Sequence, residues 1–354
     1  MPFVLYDKTP HKTVIDWFCL INSKGIGPKT FWALLRAYGS AEKSLPHVEA
    51  PFPYEKAEKL LKSFKGHVLL ASDPIFPKEL RRTSSCPPML FAMGNLSLLN
   101  QRKVSVIGAR NASINGKSIA KKMGEGLSNY FVVISGLANG IDTNVHLGAD
   151  KKKSIAVMPF ALNCVYPAEN SKLFKEISEE GLVISTVPSH RSPDQGMFHA
   201  RNKIIATLSE GMVVIEASLR SGSIAAAKMA LDIGTEVMAV PGSPSDPRSK
   251  GCNWLIKNGA PLVEDYTDVL EILGYNFKDS QNSVCFLDDS DNKYDDLSNQ
   301  IVSMLSSDSP TCLETIATNL NVDIKDILCN ISELEIIGKI SKCSTNEVIL
   351  NVQS

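Results

Sequence analysis

The chain lacks the glycine pattern that would make it a dinucleotide enzyme. After a first apolar strand, Val104-Ser105-Val106-Ile107, it offers Gly108-Ala109-Arg110 where G-x-G-x-x-G would be needed. A second strand, Phe131 to Ile134, runs into Ser135-Gly136 rather than ending on the acid that takes the ribose hydroxyls. No apolar run approaches the length of a membrane span, and Asp7 and Asp16 fall where a signal peptide would be apolar. A cytoplasmic protein without a membrane partner is expected. The eight cysteines never form C-x-x-C and never accompany a histidine pair, which argues for reduced thiols and against a metal site. No cofactor is expected.

Charge of one sign is scarce in the total, which is −1 over 354 residues, but not in the parts. Residues 1–101 hold 13 Lys and Arg against 8 Asp and Glu, and residues 102–275 hold 19 against 17. Residues 276–354 hold 5 against 13. A polyanion is drawn to the first two parts and repelled by the third, so nucleic-acid contact belongs upstream of residue 276.

What is present is a strand series at β-α spacing. Val104–Ile107, Phe131–Ile134, Ser154–Met158, Leu182–Val187, Met212–Ile215 and Glu236–Val240 are near-continuous apolar runs, with a last short one near Pro261–Val263. Such runs suit strands buried on both faces of a parallel sheet with helices on each side. A helix is expected from Asn115-Gly116 to about Tyr130. Ligands of such sheets bind beyond the carboxyl ends of the strands, where this chain places Gly108-Ala109-Arg110, Ser135-Gly136 and Glu216-Ala217-Ser218. The glycine turn into the first helix looks built to hold phosphate, because helix starts carry free N–H groups and favour negative charge. Ser221-Gly222-Ser223 opens an alanine-rich helix and provides a second such seat, or simply an N-cap. Phe198-His199-Ala200-Arg201-Asn202-Lys203 sets two cations and an amide ahead of another apolar helix, where they want an anion or an acidic partner. Phe198 is either core or a stacking surface for a base.

Upstream, Val14–Ile21 and Phe31–Tyr38 read as helices joined by Lys24-Gly25-Ile26-Gly27. That turn suits both an inert packing unit and a phosphate contact assisted by Lys24 and Lys29. A strand is expected at His67–Leu70, and the stretch to Gly94 should add a strand or two to the main sheet. After acidic residues near Asp279 to Asp296, helices are expected at Gln300–Leu305, Cys312–Leu320 and Ile324–Leu334, and strands near Lys339–Ser341 and Val348–Leu350. Ile324, Leu328, Ile331 and Leu334 should form the third helix's buried face. Its charges are Lys325, Asp326, Glu333 and Glu335, whereas a DNA-reading helix needs cations toward the groove, so this piece reads as a protein-interaction or structural module.

Seven stretches in order resemble the DNA-processing protein A family (DprA, also called Smf). They are Val104–Arg110, Ile134–His146 (ISGLANGIDTNVH), Tyr166-Pro167, Phe198–Ala206, Val213–Ser223 (VVIEASLRSGS), Ala239–Gly242 and Gly251–Ala260, within some 160 residues. The resemblance implies an α/β fold with an extended Rossmann-like parallel sheet, an N-terminal helical module of helix-hairpin-helix or SAM-like type, and a C-terminal winged-helix module. The corresponding domains are 1–66, 67–275, a linker at 276–296, and 297–354. It further implies a non-catalytic protein of natural transformation and recombination. Such a protein binds single-stranded DNA, delivers a RecA-type recombinase onto it, and dimerises through the Rossmann domain. Carried onto this sequence, Arg110 and Arg201 contact phosphate, with Asn202 beside them and Lys203 where a second arginine is frequent. Gly108, Ser135, Gly136, Ser221, Gly222 and Ser223 shape the pocket. Asn139 and Gln195 stand where the family is frequently basic, which implies weaker, less salt-sensitive binding. The alternative is a phosphoribohydrolase-type enzyme. Its P-G-G-x-G-T signature is missing around Ala217–Ser223, and Glu216 is the only nearby acid.

Overall fold

The computed structural model describes residues 4–5, 11–188, 195–275, 301, 303–305, 310–320, 322–336, 340–344 and 346–350. The chain divides into two compact units, Met1–Asn276 and Phe277–Ser354. Among the described residues no helix is long and apolar enough to cross a membrane.

The first unit is organised by one nine-stranded sheet. Its strands are β1 (Val4–Leu5), β2 (His67–Leu70), β3 (Met89–Gly94), β4 (Lys103–Gly108), β5 (Val132–Ser135), β6 (Ser154–Val157), β7 (Leu182–Ser185), β8 (Gly211–Ile215) and β9 (Glu236–Ala239). They lie in the order β1-β2-β3-β7-β6-β5-β4-β8-β9. From β7 to β9 every pairing is parallel, while β3 pairs antiparallel with both β2 and β7. The lead-in to residue 94 therefore extends the main sheet, as its sequence suggested. The short run near Pro261–Val263 forms a single bridge, Leu262 to Ala239.

Side chains alternate across a strand with period two, and here they sort into two cores. Val132 and Ile134 face one, Val133 the other. The Val133 side is covered by α6 (Ile114–Leu127), α7 (Ile141–Gly148) and α12 (Tyr266–Ile272). The opposite side carries α8 (Ser171–Glu180), α9 (Gln195–Leu208), α10 (Gly222–Asp232) and α11 (Lys250–Lys257). Two faces of buried Val, Ile and Leu explain the uninterrupted apolar runs, each such side chain contributing roughly 1.5–3 kcal/mol of transfer free energy.

The N-terminal helices α1 (His11–Asn22), α2 (Pro28–Tyr38), α3 (Ala41–Ser44) and α4 (Tyr54–Ser63) share the second of these cores. Between α1 and α2 the turn uses Gly25 at φ +77°, a left-handed conformation that glycine adopts freely. A short α5 (Lys78–Arg81) follows β2. Phe18 meets Phe91 of β3 edge to face at 6.3 Å, so the helices and the sheet are packed as one body.

The second unit has β10 (Thr311–Cys312), α13 (Leu313–Leu320), α14 (Ile324–Ile336), β11 (Ile340–Ser344) and β12 (Glu347–Leu350). Its sheet is antiparallel in the order β10-β12-β11. Two expectations need correction. Cys312 ends a strand rather than starting a helix. The buried row of α14 is Ile327, Ile331 and Leu334, while Ile324 and Leu328 are 39% and 42% exposed. Ile331 and Leu334 are buried as expected, and Ile327, one residue or about 100° of helix before Leu328, takes the place of Ile324 and Leu328 in this unit's core.

Candidate nucleic-acid interface

Chain order along the parallel strands runs outward from β4 through β5, β6 and β7, then crosses back to β8 and β9. The reversal between β4 and β8 leaves a crevice at their carboxyl ends, the general ligand position of such sheets. A cleft of about 430 Å³ occupies it, lined by residues 107–111 at the end of β4 and just beyond, by Ser218 and residues 221–223 after β8, and by Phe198, Arg201 and Asn202 of α9. An adjoining hollow of about 250 Å³ shares Arg110, Phe198 and Arg201 and adds Gly136, Asn139 and Tyr166. Eight of the expected residues thus converge on one cleft and Gly136 on its neighbour.

Arg110 is exposed and makes no ion pair with any described residue. Its guanidinium carbon lies 4.9 Å from the centroid of the Phe198 ring. That ring meets Phe160 edge to face at 5.2 Å, and Phe160 meets Tyr166 at 5.7 Å. Phe198 is therefore a post beneath Arg110, with one face already covered by a cation. The more open aromatic surface at the hollow is Tyr166, half exposed.

The helix start of α10 faces the cleft in an open state. Ser221 caps it, accepting the Ile224 amide at 3.3 Å, and the Ser223 hydroxyl donates to the Gly108 carbonyl at 2.8 Å. Asn202 donates to the Gly222 carbonyl at 3.2 Å, tying α9 to the same turn. The space beside Gly222 is empty within 4 Å of where a Cβ would stand.

Arg201 differs from the sequence expectation of a free phosphate contact. Only 7% of it is exposed, and its Nη1 lies 3.5 Å from Oδ2 of Asp142, itself 5% exposed. Burial pushes the Asp142 carboxyl up and the Arg201 guanidinium down, and each is drawn back by the other's charge. A Cβ on Gly136 would stand 1.2 Å from Nη1, so this glycine is what lets the guanidinium lie against the end of β5. Arg201 is the charged floor of the cleft, partnered from within. Asp142 lies in the family-like ISGLANGIDTNVH stretch, but its sequence gives it no role of its own, since an acid in a helix's first turn is ordinarily explained by the dipole alone.

Two other expectations are corrected. Ser135 is wholly buried and donates to the Val106 carbonyl at 2.7 Å, joining β5 to β4 below the cleft. Lys203 stands elsewhere, in an apolar hollow of about 390 Å³ with Ile21, Gly27, Pro28 and Phe91. Positions 201 and 203 are about 200° apart on a helix, so the two cations leave α9 on opposite sides.

The first phosphate seat is also filled. Glu216, at φ +51° directly after β8, accepts the Ser113 amide at 2.8 Å and the Ser113 hydroxyl. Ser113 caps α6 by accepting the Gly116 amide at 2.9 Å. A carboxylate fixed in this way is engaged in capping a helix. Arg248, missed in the sequence reading, lines the cleft in a bidentate pair with Asp246 at 2.8–3.2 Å, which holds that carboxyl below its ordinary value.

Comparison with known proteins places this geometry. Residues 67–274 match the model of DNA recombination-mediator protein A, and residues 11–50 a DprA-like N-terminal HHH domain. DNA processing protein DprA of Streptococcus pneumoniae is 42% identical over 200 residues, which are 56% of this chain and 71% of that one. Protein Smf of Escherichia coli K12 is 33% identical over 284 residues, 78% of this chain and 75% of its own. The X-ray structure of the Streptococcus pneumoniae protein superposes with a TM-score of 0.58 at 38% identity, covering 62% of this chain and 77% of that one. A structure of DNA processing protein A from Helicobacter pylori, described for its single-stranded DNA binding mode, gives 0.55 at 28%, covering 60% and 96%. With eight of the sheet's nine strands and the switch-point cleft inside the matched segment, this chain belongs to the DNA recombination-mediator protein A family.

Proposed function

We propose that this protein binds single-stranded DNA along the carboxyl edge of its sheet and passes the strand to a RecA-type recombinase in the cytoplasm, in transformation or recombination. The carrying observation is Arg110: an exposed guanidinium, without an ion pair among the described residues, held by Phe198 at a cleft that the open start of α10 also lines. Phosphate is the ligand such a wall and such a cation share, and charge-assisted contacts to it are the strong ones. Family membership and the single-stranded DNA bound by the Helicobacter pylori relative support the same reading.

Arg201 contributes long-range positive potential from the floor, and Gly108, Gly136, Asn202, Ser221, Gly222 and Ser223 give the cleft its shape. Two copies join through the Rossmann-like domain, and the acidic second unit, read as a winged helix, engages protein rather than DNA. In this reading the domains run 1–66, 67–275 and 297–354, with a linker at 276–296. The captured carboxylate of Glu216 speaks against a hydrolase.

Fluorescence anisotropy with a labelled oligo-dT and a matched duplex tests the binding step; preference for the duplex would refute it. Recombinase filament growth on strands coated with single-strand-binding protein tests the handover, which requires acceleration by this protein.

A further inference from the structure

A nucleotide-sized phosphate group has two helix starts to choose from at this switch point, and the protein has closed one of them. At α6 the helix start has a Ser113 cap, which accepts the Gly116 amide, and the strand-end Gly108 shortly before it in the chain. Yet the bound anion there is Glu216. Its carboxylate takes the Ser113 amide and hydroxyl, and packs so close to the first turn that a Cβ on Gly116 would stand 2.5 Å from its Cδ. The residue adopts φ +51° to reach that position, a conformation uncommon outside glycine and asparagine. At α10 no acid is offered: Ser221 caps, and the space by Gly222 is open.

The geometry points to Glu216 as a specificity residue, an internal anion that keeps free nucleotides and pyrophosphate off α6 and leaves the α10 edge for phosphate. Pyrophosphate in a dinucleotide fold sits at the first helix start, where two adjacent charges are neutralised together. With a carboxylate already packed against the first turn, an incoming pyrophosphate meets like charge. A polymer phosphate has no such requirement, since it needs one seat and one cation per residue and draws its affinity from repetition along the strand. The inference rests on the proposed single-stranded DNA binding only for its statement of what remains at α10. The exclusion at α6 stands on its own.

The test uses the full chain with Glu216→Gly and Glu216→Asn, both residues that accept positive φ. Inorganic pyrophosphate and ADP are titrated by calorimetry, and oligo-dT by anisotropy. Both variants should bind pyrophosphate about tenfold more tightly than the unaltered protein, as loss of an opposing charge at a helix start allows. Their oligo-dT affinity should stay within about threefold, since the cleft cation Arg110 is untouched. Thermal melts in pyrophosphate, against chloride of equal ionic strength, serve a variant that is destabilised: a filled seat raises its Tm more than that of the unaltered protein. Absence of both the affinity gain and the extra Tm rise overturns the inference, as does equally tight pyrophosphate binding by the unaltered protein. Failure of the unaltered protein to bind oligo-dT, with the pyrophosphate gain intact, would instead refute the proposed function.

Discussion

Replacing Arg201 by alanine should damage the fold before it damages binding. The substitution leaves Asp142 buried with only the Ala138 amide, at 3.4 Å, and the Gly108 backbone for company. Removing one member of a buried ion pair costs about 3–5 kcal/mol, because the survivor keeps its desolvation penalty. For a unit of this size that corresponds to a fall in Tm on the order of 10 °C. A pH signature follows. Without the guanidinium, the Asp142 carboxyl is held above its unfolded-state value by burial alone. The folded state then binds the proton more tightly, so the deficit is largest at neutral pH. It shrinks as pH falls through the raised value, by up to about 1.4 kcal/mol per unit. Adding Asp142→Asn to the variant should restore a good part of the loss at neutral pH and remove its pH dependence. Differential scanning calorimetry of the four proteins of this cycle at several pH values measures both effects. An Arg201→Ala protein melting within about 2 °C of the parent at neutral pH would refute a buried pair that holds the cleft floor.

Arg110→Ala should leave Tm nearly unchanged and weaken oligo-dT binding by about 1–3 kcal/mol in anisotropy titrations, since the side chain is exposed and the proposed function gives it a phosphate to hold. Lys203→Ala should affect that binding less than Arg110→Ala in the same assay, because Lys203 lines the hollow beside Gly27. Deleting residues after 276 should leave affinity unchanged or slightly raised, the removed part carrying 5 basic against 13 acidic residues. Affinity for homopolymers and mixed sequences should agree, with a modest salt slope of roughly −0.7 per phosphate engaged, measured by titration at two salt concentrations.

The sheet was legible because burial on both faces leaves a local mark: runs such as Val104–Ile107 and Met212–Ile215 need no distant information to be read as strands. The cleft was legible where its residues follow strand ends, as Gly108, Arg110 and Ser221 do. What escaped is pairing across long separations. Nothing around Asp142 announces Arg201, and nothing around Ser113 announces Glu216, yet these two contacts decide which helix start and which arginine remain available. Lys203 escaped for a different reason. Its neighbourhood is set by two residues' worth of helical rotation, and a motif read as a string ignores which side of the helix each letter takes. In α14 the same ambiguity made two apolar rows equally eligible for the core.

Phe18, Phe31 and Phe91 belong to one buried cluster that also holds strands of the main sheet. Loosening the helical hairpin therefore means opening the sheet's own core, and no intermediate with a melted N-terminus and an intact cleft is cheaply reached. Cooperativity of this kind gives remote positions leverage over DNA: a cavity made at Phe18, far along the chain from Arg110, lowers the population of folded molecules that can present the cleft at all. Sequence drift in these helices is then constrained by the nucleic-acid edge they support, whether or not the hairpin ever touches a phosphate.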